Sequence, residues 1–282
     1  MSLPLLPELA ARAGIRCEVS PRALERWNPS LQASDDEPGS ISILDVIGQD
    51  FWTGEGVTAK RIAGALRAIG PDKPVTVSIN SPGGDMFEGI AIYNMLREHK
   101  GPITVKVLGI AASAASVIAM AGDTVEIGKA AFLMIHNCSV GLYGNRHDLR
   151  DAADWMEPFD AAMAGVYSDR TGQDSAAIQS MLDKETWIGG DSAIEQGFAD
   201  SLLASDQIKE GGAKAHASAV RRLESALRSS GLPRSEAQRL ITEFKASLSD
   251  SAGDRGLSDS AATEETAAVL RATINQIRGT IQ

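Results

Sequence analysis

From Ile41 to about Leu203 the chain alternates short β-branched runs with amphipathic stretches: ISILDVIG, TAKRIAGALRAIG, PVTVSIN, MFEGIAIYNMLREH, ITVKVLG, ASVIAMAG, TVEIG and AFLMIH. The Val/Ile runs predict strands, and the stretches with apolar residues three and four apart predict helices. Strands that alternate with helices imply an α/β domain built from repeated crossover units. In the helix after Pro82, the residues Phe87, Ile90, Tyr93 and Leu96 recur every three positions and are expected to pack in the core. After His136 the pattern changes to NRHDLRDAADWMEPFDAAMAGVYSDRTG, a long polar-rich helix whose apolar positions are Trp155, Met156, Phe159, Met163 and Tyr167. So few large side chains among so many charges fit a helix that leaves the globule to pack on a partner, with an ordinary surface helix as the alternative.

Both flanks break this alternation. Residues 1–40 mix Pro, Ser and charge, and QASDDEPGS reads as the end of a partly disordered leader, with order expected to begin near Ile41. From Ser205 onward three candidate helices follow with no strand between them. In the second, Ser235 and Gln238 form an S-x-x-Q capping box after Pro233, with Ile241, Phe244 and Leu248 along one face. SLSDSAGDRGLSDSAA then reads as a linker before a last helix, ETAAVLRATINQIR. The expected organisation is a leader over 1–40, a globular domain over 41–204 and a helical extension over 205–282 that serves interaction or assembly.

Composition narrows the function classes. With 282 residues, 43% hydrophobic and 23% charged, the chain can bury a full core. A formal charge of −10, from 27 basic against 37 acidic residues, argues against a grip on nucleic-acid phosphates. Cys17 and Cys138 are too few for a disulfide framework or a Cys-rich zinc site and fit a reducing compartment, so no metal is implied. MSLPLLPELAARAGIR lacks a basic stretch ahead of an apolar core, and no apolar run is long enough to cross a membrane. A cytoplasmic chain without membrane contact is expected.

The chemistry centres on Ser113, in VLGIAASAASVIAMAG, where a strand passes into a helix. A hydroxyl becomes a nucleophile only beside a base, and its reaction needs a site for the developing oxyanion. The turn Ser81-Pro82-Gly83-Gly84 can bring backbone N–H groups close to a substrate. Ala114 offers a further N–H at the start of the helix that Ser113 opens. Ser116, one turn on, is a rival nucleophile inside the helix. His136 ends the apolar run AFLMIH and projects from a strand end, whereas His99, His147 and His216 lie in charged helical or tail segments. Asp183 and Glu185, in MLDKETWIGG, are the candidate acids to orient the imidazole. Each residue alone fits a structural role as well.

Taken together, SINSPGGDMFEGIAIYNML, VLGIAASAASVIAMAGD, FLMIHNCSVG and ETWIGGDSAIEQGFADSLL resemble blocks of the Clp protease proteolytic subunit (ClpP) family. More narrowly they resemble its bacteriophage and prophage branch of head maturation proteases. The resemblance implies a ClpP/crotonase-like stack of β-β-α units with a protruding handle helix and an α-helical C-terminal extension. It implies Ser113 as nucleophile, His136 as base, and Gly84 and Ala114 as oxyanion-hole donors. It further implies a serine endopeptidase without cofactors that assembles as a homo-oligomeric ring, stacked or single, and acts on capsid or scaffold proteins in the host cytoplasm or inside the procapsid. The family's acid is an Asp two residues ahead of an aromatic. Here that place holds Glu185, ahead of Trp187, with Asp183 as the alternative. The leader does not resemble the segment that engages an ATP-driven unfoldase, so ATP-independent action is expected.

Three other readings remain at this stage. A crotonase-type enzyme would use the paired N–H groups on a thioester enolate. A Ser/Lys dyad protease of the signal-peptide-peptidase type would use Lys106 or Lys129 as base. A ring-forming capsid assembly or scaffold protein would use the domain without catalysis.

Overall fold

The computed structural model describes residues 16–17, 19–29, 31–33, 38–49, 56–204, 208–210, 223–224, 227 and 236–243. In chain order the elements are β1 (Arg16–Cys17), α1 (Pro21–Arg26), β2 (Leu31–Ala33), β3 (Ser40–Ile43), α2 (Ala59–Ile69), β4 (Val75–Ser81), α3 (Met86–Glu98), β5 (Ile103–Ala112) and α4 (Ala114–Ala119). There follow β6 (Thr124–Gly128), β7 (Phe132–Ile135), β8 (Val140–Gly141), α5 (Arg146–Thr171), α6 (Ser175–Asp183), β9 (Thr186–Gly189), α7 (Gly190–Glu195), β10 (Ser201–Leu203) and β11 (Ile208–Glu210). Every strand and helix expected between Ile41 and His136 is present. The chain divides into two units, Met1–Arg222 and Leu223–Gln282.

The β-branched runs form a mostly parallel sheet in the order β10-β6-β5-β4-β3, with β7 joined to β5 and β9 antiparallel to β7. β5 is the hinge of this arrangement. Its first half, through Val107, pairs with β6, and its last residues, Ile110 to Ala112, pair with β7. One strand thus links two strand layers, as in a stack of β-β-α units. Ile79, Val105, Val107, Ile127 and Leu133 are wholly buried, as expected for parallel strands covered on both faces.

The helices follow their end signals. Asp85 caps α3 by accepting from Glu88 N, and Asn145 with Asp148 forms a capping box on α5. α5 ends at Gly172, whose left-handed φ of 70° favours a residue without Cβ. Along α3 the expected core stripe holds at Leu96, with Ile90 and Tyr93 partly buried against the core, and is corrected at Phe87. Met86, Gly89, Ile92 and Leu96 are buried, whereas Phe87 is 47% exposed. Phe87 instead packs edge-on against Phe159 of α5, with centroids 5.4 Å apart, and lies beside Trp155. The second half of α5 does not leave the globule, because Met163, Ala164 and Tyr167 are buried in the core.

Order also begins upstream of Ile41, contrary to the sequence expectation. Trp27, 1% exposed, packs with Ala23, Leu24, Ile110, Ala112 and Met134. Its indole N–H donates to Asn80 O at 2.9 Å. The fully buried Asn80 side chain completes the join: Nδ2 donates to Asn28 O (2.6 Å) and Leu31 O (3.3 Å), and Oδ1 accepts from Ile110 N (3.3 Å). One amide thus bonds three backbone groups and ties the segment after α1 to β4 and β5. Beyond residue 204, where the globular domain is expected to end, β11 pairs antiparallel with β2.

In the second unit residues 236–243 are helical, with Ala237 and Ile241 buried and Gln238 Nε2 donating to Glu224 Oε1 at 3.1 Å. Ser235, Phe244, Leu248, the linker over 247–262 and the helix expected over 265–278 lie outside the described residues, as do most of the leader and His216.

Replacing Trp27 by Ala removes a buried indole and its hydrogen bond, and should lower unfolding stability in urea by about 3–5 kcal/mol. A loss below about 0.5 kcal/mol, the usual effect of a surface substitution, would show that the α1 segment is not part of the core.

Candidate active site

β5 ends at Ala112 and α4 begins at Ala114, so Ser113 carries the whole change of direction, with φ 55° and ψ −126°. Among the described residues only Ser113 and Glu185 combine a side chain with positive φ. Such conformations cost about 1–3 kcal/mol each and persist where surrounding contacts over-determine them. Ser113 N donates to Met134 O at 2.8 Å, which ties the turn to β7. The hydroxyl makes no cap bond to its own helix. It lies 2.7 Å from His136 Nε2. His136 follows β7 directly, and the pairing of β7 with the end of β5 brings the two side chains together.

The glycine turn approaches from β4. At Gly83, φ 88°, a Cβ would lie 2.5 Å from Ala112 O and 2.7 Å from Ser113 Cβ, so only glycine permits this contact. At Gly84 a Cβ would meet Ile47 O at 2.1 Å. The turn is pinned from below. Ser81 Oγ donates to Asp45 O (2.6 Å) and accepts from Gly83 N (3.2 Å), while Ile47 N donates to Gly83 O (2.9 Å) and Asp85 N to Ile47 O (2.9 Å). These bonds leave the N–H groups of Gly84 and Ala114 without a hydrogen-bond partner among the described residues. Both are therefore available to an anion.

Burial lowers the pKa of His136 below its ordinary 6.5, and the charge of Glu185 opposes that shift. The imidazole is neutral at pH 7 and able to accept a proton. The two candidate acids differ in what they hold. Asp183, at the end of α6, accepts from Asn137 Nδ2 at 2.8 Å. Asp160, which sequence reasoning missed, accepts from Cys138 N at 2.7 Å; burial is the main cause raising its pKa, and Asp183 adds to it. Asp160 and Asp183 thus clamp the segment after His136. Glu185 Oε1 instead accepts from Trp187 Nε1 and from the exposed Arg22 of α1, both at 3.3 Å. Glu185 is the acid whose charge bears on the imidazole, and no hydrogen bond among the described residues joins the two side chains.

The rival groups are placed elsewhere. Ser116 is fully buried, with its Oγ 2.6 Å from Ser113 O and 2.8 Å from Tyr167 OH. His99 bonds to Lys73 O and His147 to Arg146, both on the surface. Beside Ser113 and His136 a pocket of about 360 Å³, open solvent included, is lined by Met86, Ile90, Val117, Met163 and Cys138 among others. Neither Lys106 nor Lys129 lines it. Among the described residues no group of three or more His, Cys, Asp or Glu could hold a metal ion, and no helix is long and apolar enough to cross a membrane.

Comparison with known proteins accords with this geometry. The profile of the Clp protease family matches residues 56–206. The ATP-dependent Clp protease proteolytic subunit 1 of Chlamydia muridarum is 31% identical over 161 residues, covering 54% of this chain and 84% of the relative. The corresponding subunit of Prochlorococcus marinus is 29% identical over 191 residues, covering 62% and 96%. That of Streptomyces coelicolor is 32% identical over 152 residues, covering 52% and 68%. With the profile spanning more than half of its length, the chain belongs to the Clp protease family and is a serine-type peptidase.

Proposed function

We propose that Ser113 is the nucleophile, His136 the general base and Glu185 the acid of an ATP-independent serine endopeptidase that trims capsid or scaffold proteins during phage head maturation. The observation that carries the catalytic part is the 2.7 Å contact between Ser113 Oγ and His136 Nε2 at a strained turn. Ser113 donates in that contact, which leaves the ring proton on Nδ1. As Oγ bonds to the peptide carbonyl carbon, its proton passes to Nε2 and the carbonyl electrons move to oxygen. The N–H groups of Gly84 and Ala114 hold that oxyanion. Collapse breaks the C–N bond, His136 returns the proton to the leaving amine, and water then hydrolyses the acyl-enzyme by the same steps. Glu185 stabilises the imidazolium through its charge. Its positive φ, shared only with Ser113 among the described residues that bear a side chain, supports it over Asp183, whose carboxylate clamps Asn137.

The biological part of the proposal rests on the flanks. The matched region leaves residues 1–55 and 207–282 outside it. The curated relatives bear the name ATP-dependent. Here Trp27 and Asn80 stitch part of the N-terminal segment to the core, which supports a chain that does not depend on an unfoldase. The proposed assembly is a homo-oligomeric ring, with the 205–282 extension as an interaction segment. Its proposed place is the host cytoplasm or the procapsid.

Incubation with the capsid protein of the same genome should yield defined cleavage products with the wild type and none with Ser113→Ala. Equal cleavage by both would remove Ser113 as nucleophile, and cleavage that survives His136→Ala would point to a lysine base. In peptide libraries the residue ahead of the cut should be apolar, matching the pocket lined by Met86, Ile90, Val117 and Met163; a preference for acidic or basic residues there would contradict the assignment. The pH profile of kcat/KM should stay flat through neutrality and fall only below pH 6.5, since burial lowers the His136 pKa. Glu185→Gln removes the charge that raises this pKa, so the acid limb should move to lower pH while kcat drops at least about tenfold. An upward move of the limb would exclude Glu185 as the acid.

A further inference from the structure

Ser116 and Tyr167 lie behind the active site, and neither touches the space a substrate would occupy. Ser116 is fully buried on α4, and Tyr167 is 1% exposed on α5. Counting protons orders their contacts. Ser116 Oγ donates its one hydrogen to Ser113 O at 2.6 Å, so the 2.8 Å contact with Tyr167 must be donated by the phenol. Burial pushes the Tyr167 pKa well above its ordinary range, which keeps the phenol protonated and a donor throughout the working pH range. The chain therefore runs in one direction, from Tyr167 O–H to Ser116 Oγ to the Ser113 carbonyl. Donors in series polarise one another, and the last bond is the short one.

Its end point matters because of peptide planarity. The Ser113 carbonyl and the Ala114 N–H belong to one rigid trans peptide and point in opposite directions. Whatever fixes the carbonyl fixes the aim of that N–H. The plane is set by an unfavourable backbone conformation at Ser113, with φ 55° and ψ −126°. The backbone N–H groups of Ser116 (2.9 Å) and Val117 (3.3 Å) also reach the carbonyl, but both belong to the same six-residue helix and move with it. Tyr167 lies on a different helix, held by core packing and by its contact with the Phe198 ring at 6.1 Å.

We infer that Tyr167 and Ser116 are positioning residues that aim the Ala114 N–H at the oxyanion of the serine peptidase reaction. The inference rests on the proposed role of Ser113 and adds two groups to it. An oxyanion donor acts more strongly on the transition state than on the bound substrate, so its misalignment lowers kcat and spares KM.

The test compares wild type, Tyr167→Phe, Ser116→Ala and the double variant on one peptide substrate, with rates normalised to the folded fraction measured by near-UV circular dichroism. Tyr167→Phe keeps the ring and removes only the hydroxyl. It should lower kcat about 3- to 10-fold, and Ser116→Ala about 10-fold or more, within the roughly 100-fold or greater loss that follows complete removal of an oxyanion donor. KM should stay within about twofold in both. Because the two groups act in series, the double variant should match Ser116→Ala rather than multiply the two losses. Unchanged kcat in the folded single variants, or losses that multiply, would overturn the inference while the nucleophile assignment stands. A wild type that hydrolyses no peptide would overturn both.

Discussion

The reversal of the backbone at Ser113 is the constraint around which the site is built. Here the strand passes into the helix through a single residue held at an unfavourable dihedral, and that residue carries the hydroxyl proposed as nucleophile. Ser113 O is held by groups of α4, its N–H by Met134 O of β7, and its side-chain face by the glycine turn. Each support comes from a neighbour of β5 in the sheet or from a helix packed on it. The parallel stack accordingly does more than bury apolar surface. It delivers His136 from the end of the adjacent strand to within hydrogen-bonding distance of Ser113.

The proposed acid is placed by a different logic. Glu185 sits in the turn between α6 and β9, at φ 50°, and β9 pairs antiparallel with β7, the strand that His136 follows. That pairing carries the carboxylate toward the imidazole, while Trp187 Nε1 holds one of its oxygens. α1 adds a second layer, with Arg22 on Glu185 and Arg26 over the Trp187 ring at 4.2 Å. Arg22 is 71% exposed, so its pairing contributes about 0–1 kcal/mol at most. The anchoring of α1 comes from Trp27 and Asn80, not from its charges.

Most of the central fold was legible because β-branched runs and amphipathic spacing report burial directly, as in Val75–Ser81 and Ala59–Ile69. The site was legible where chemistry demands a rare residue: a paired glycine before a helix, a serine at a strand end, a histidine closing an apolar run. Three features were not. Phe87 shares the periodicity of a core residue but faces two aromatics of α5, and a one-helix pattern does not show where the next helix lies. The order of α1 depends on Asn80, a residue more than fifty positions away that reads locally as the polar end of a strand. Ser116 read as a rival nucleophile because spacing places it on the Ser113 side of the helix, whereas the tyrosine that occupies its hydroxyl comes from α5.

In this arrangement the Ser113 hydroxyl is the one proposed to be activated. Treating the folded, assembled protein with a fluorophosphonate and reading intact mass, then the digest, tests it most directly. One adduct per chain is expected, on the peptide that contains Ser113, and it is lost in His136→Ala. An adduct on another residue, or none in folded protein, would contradict it.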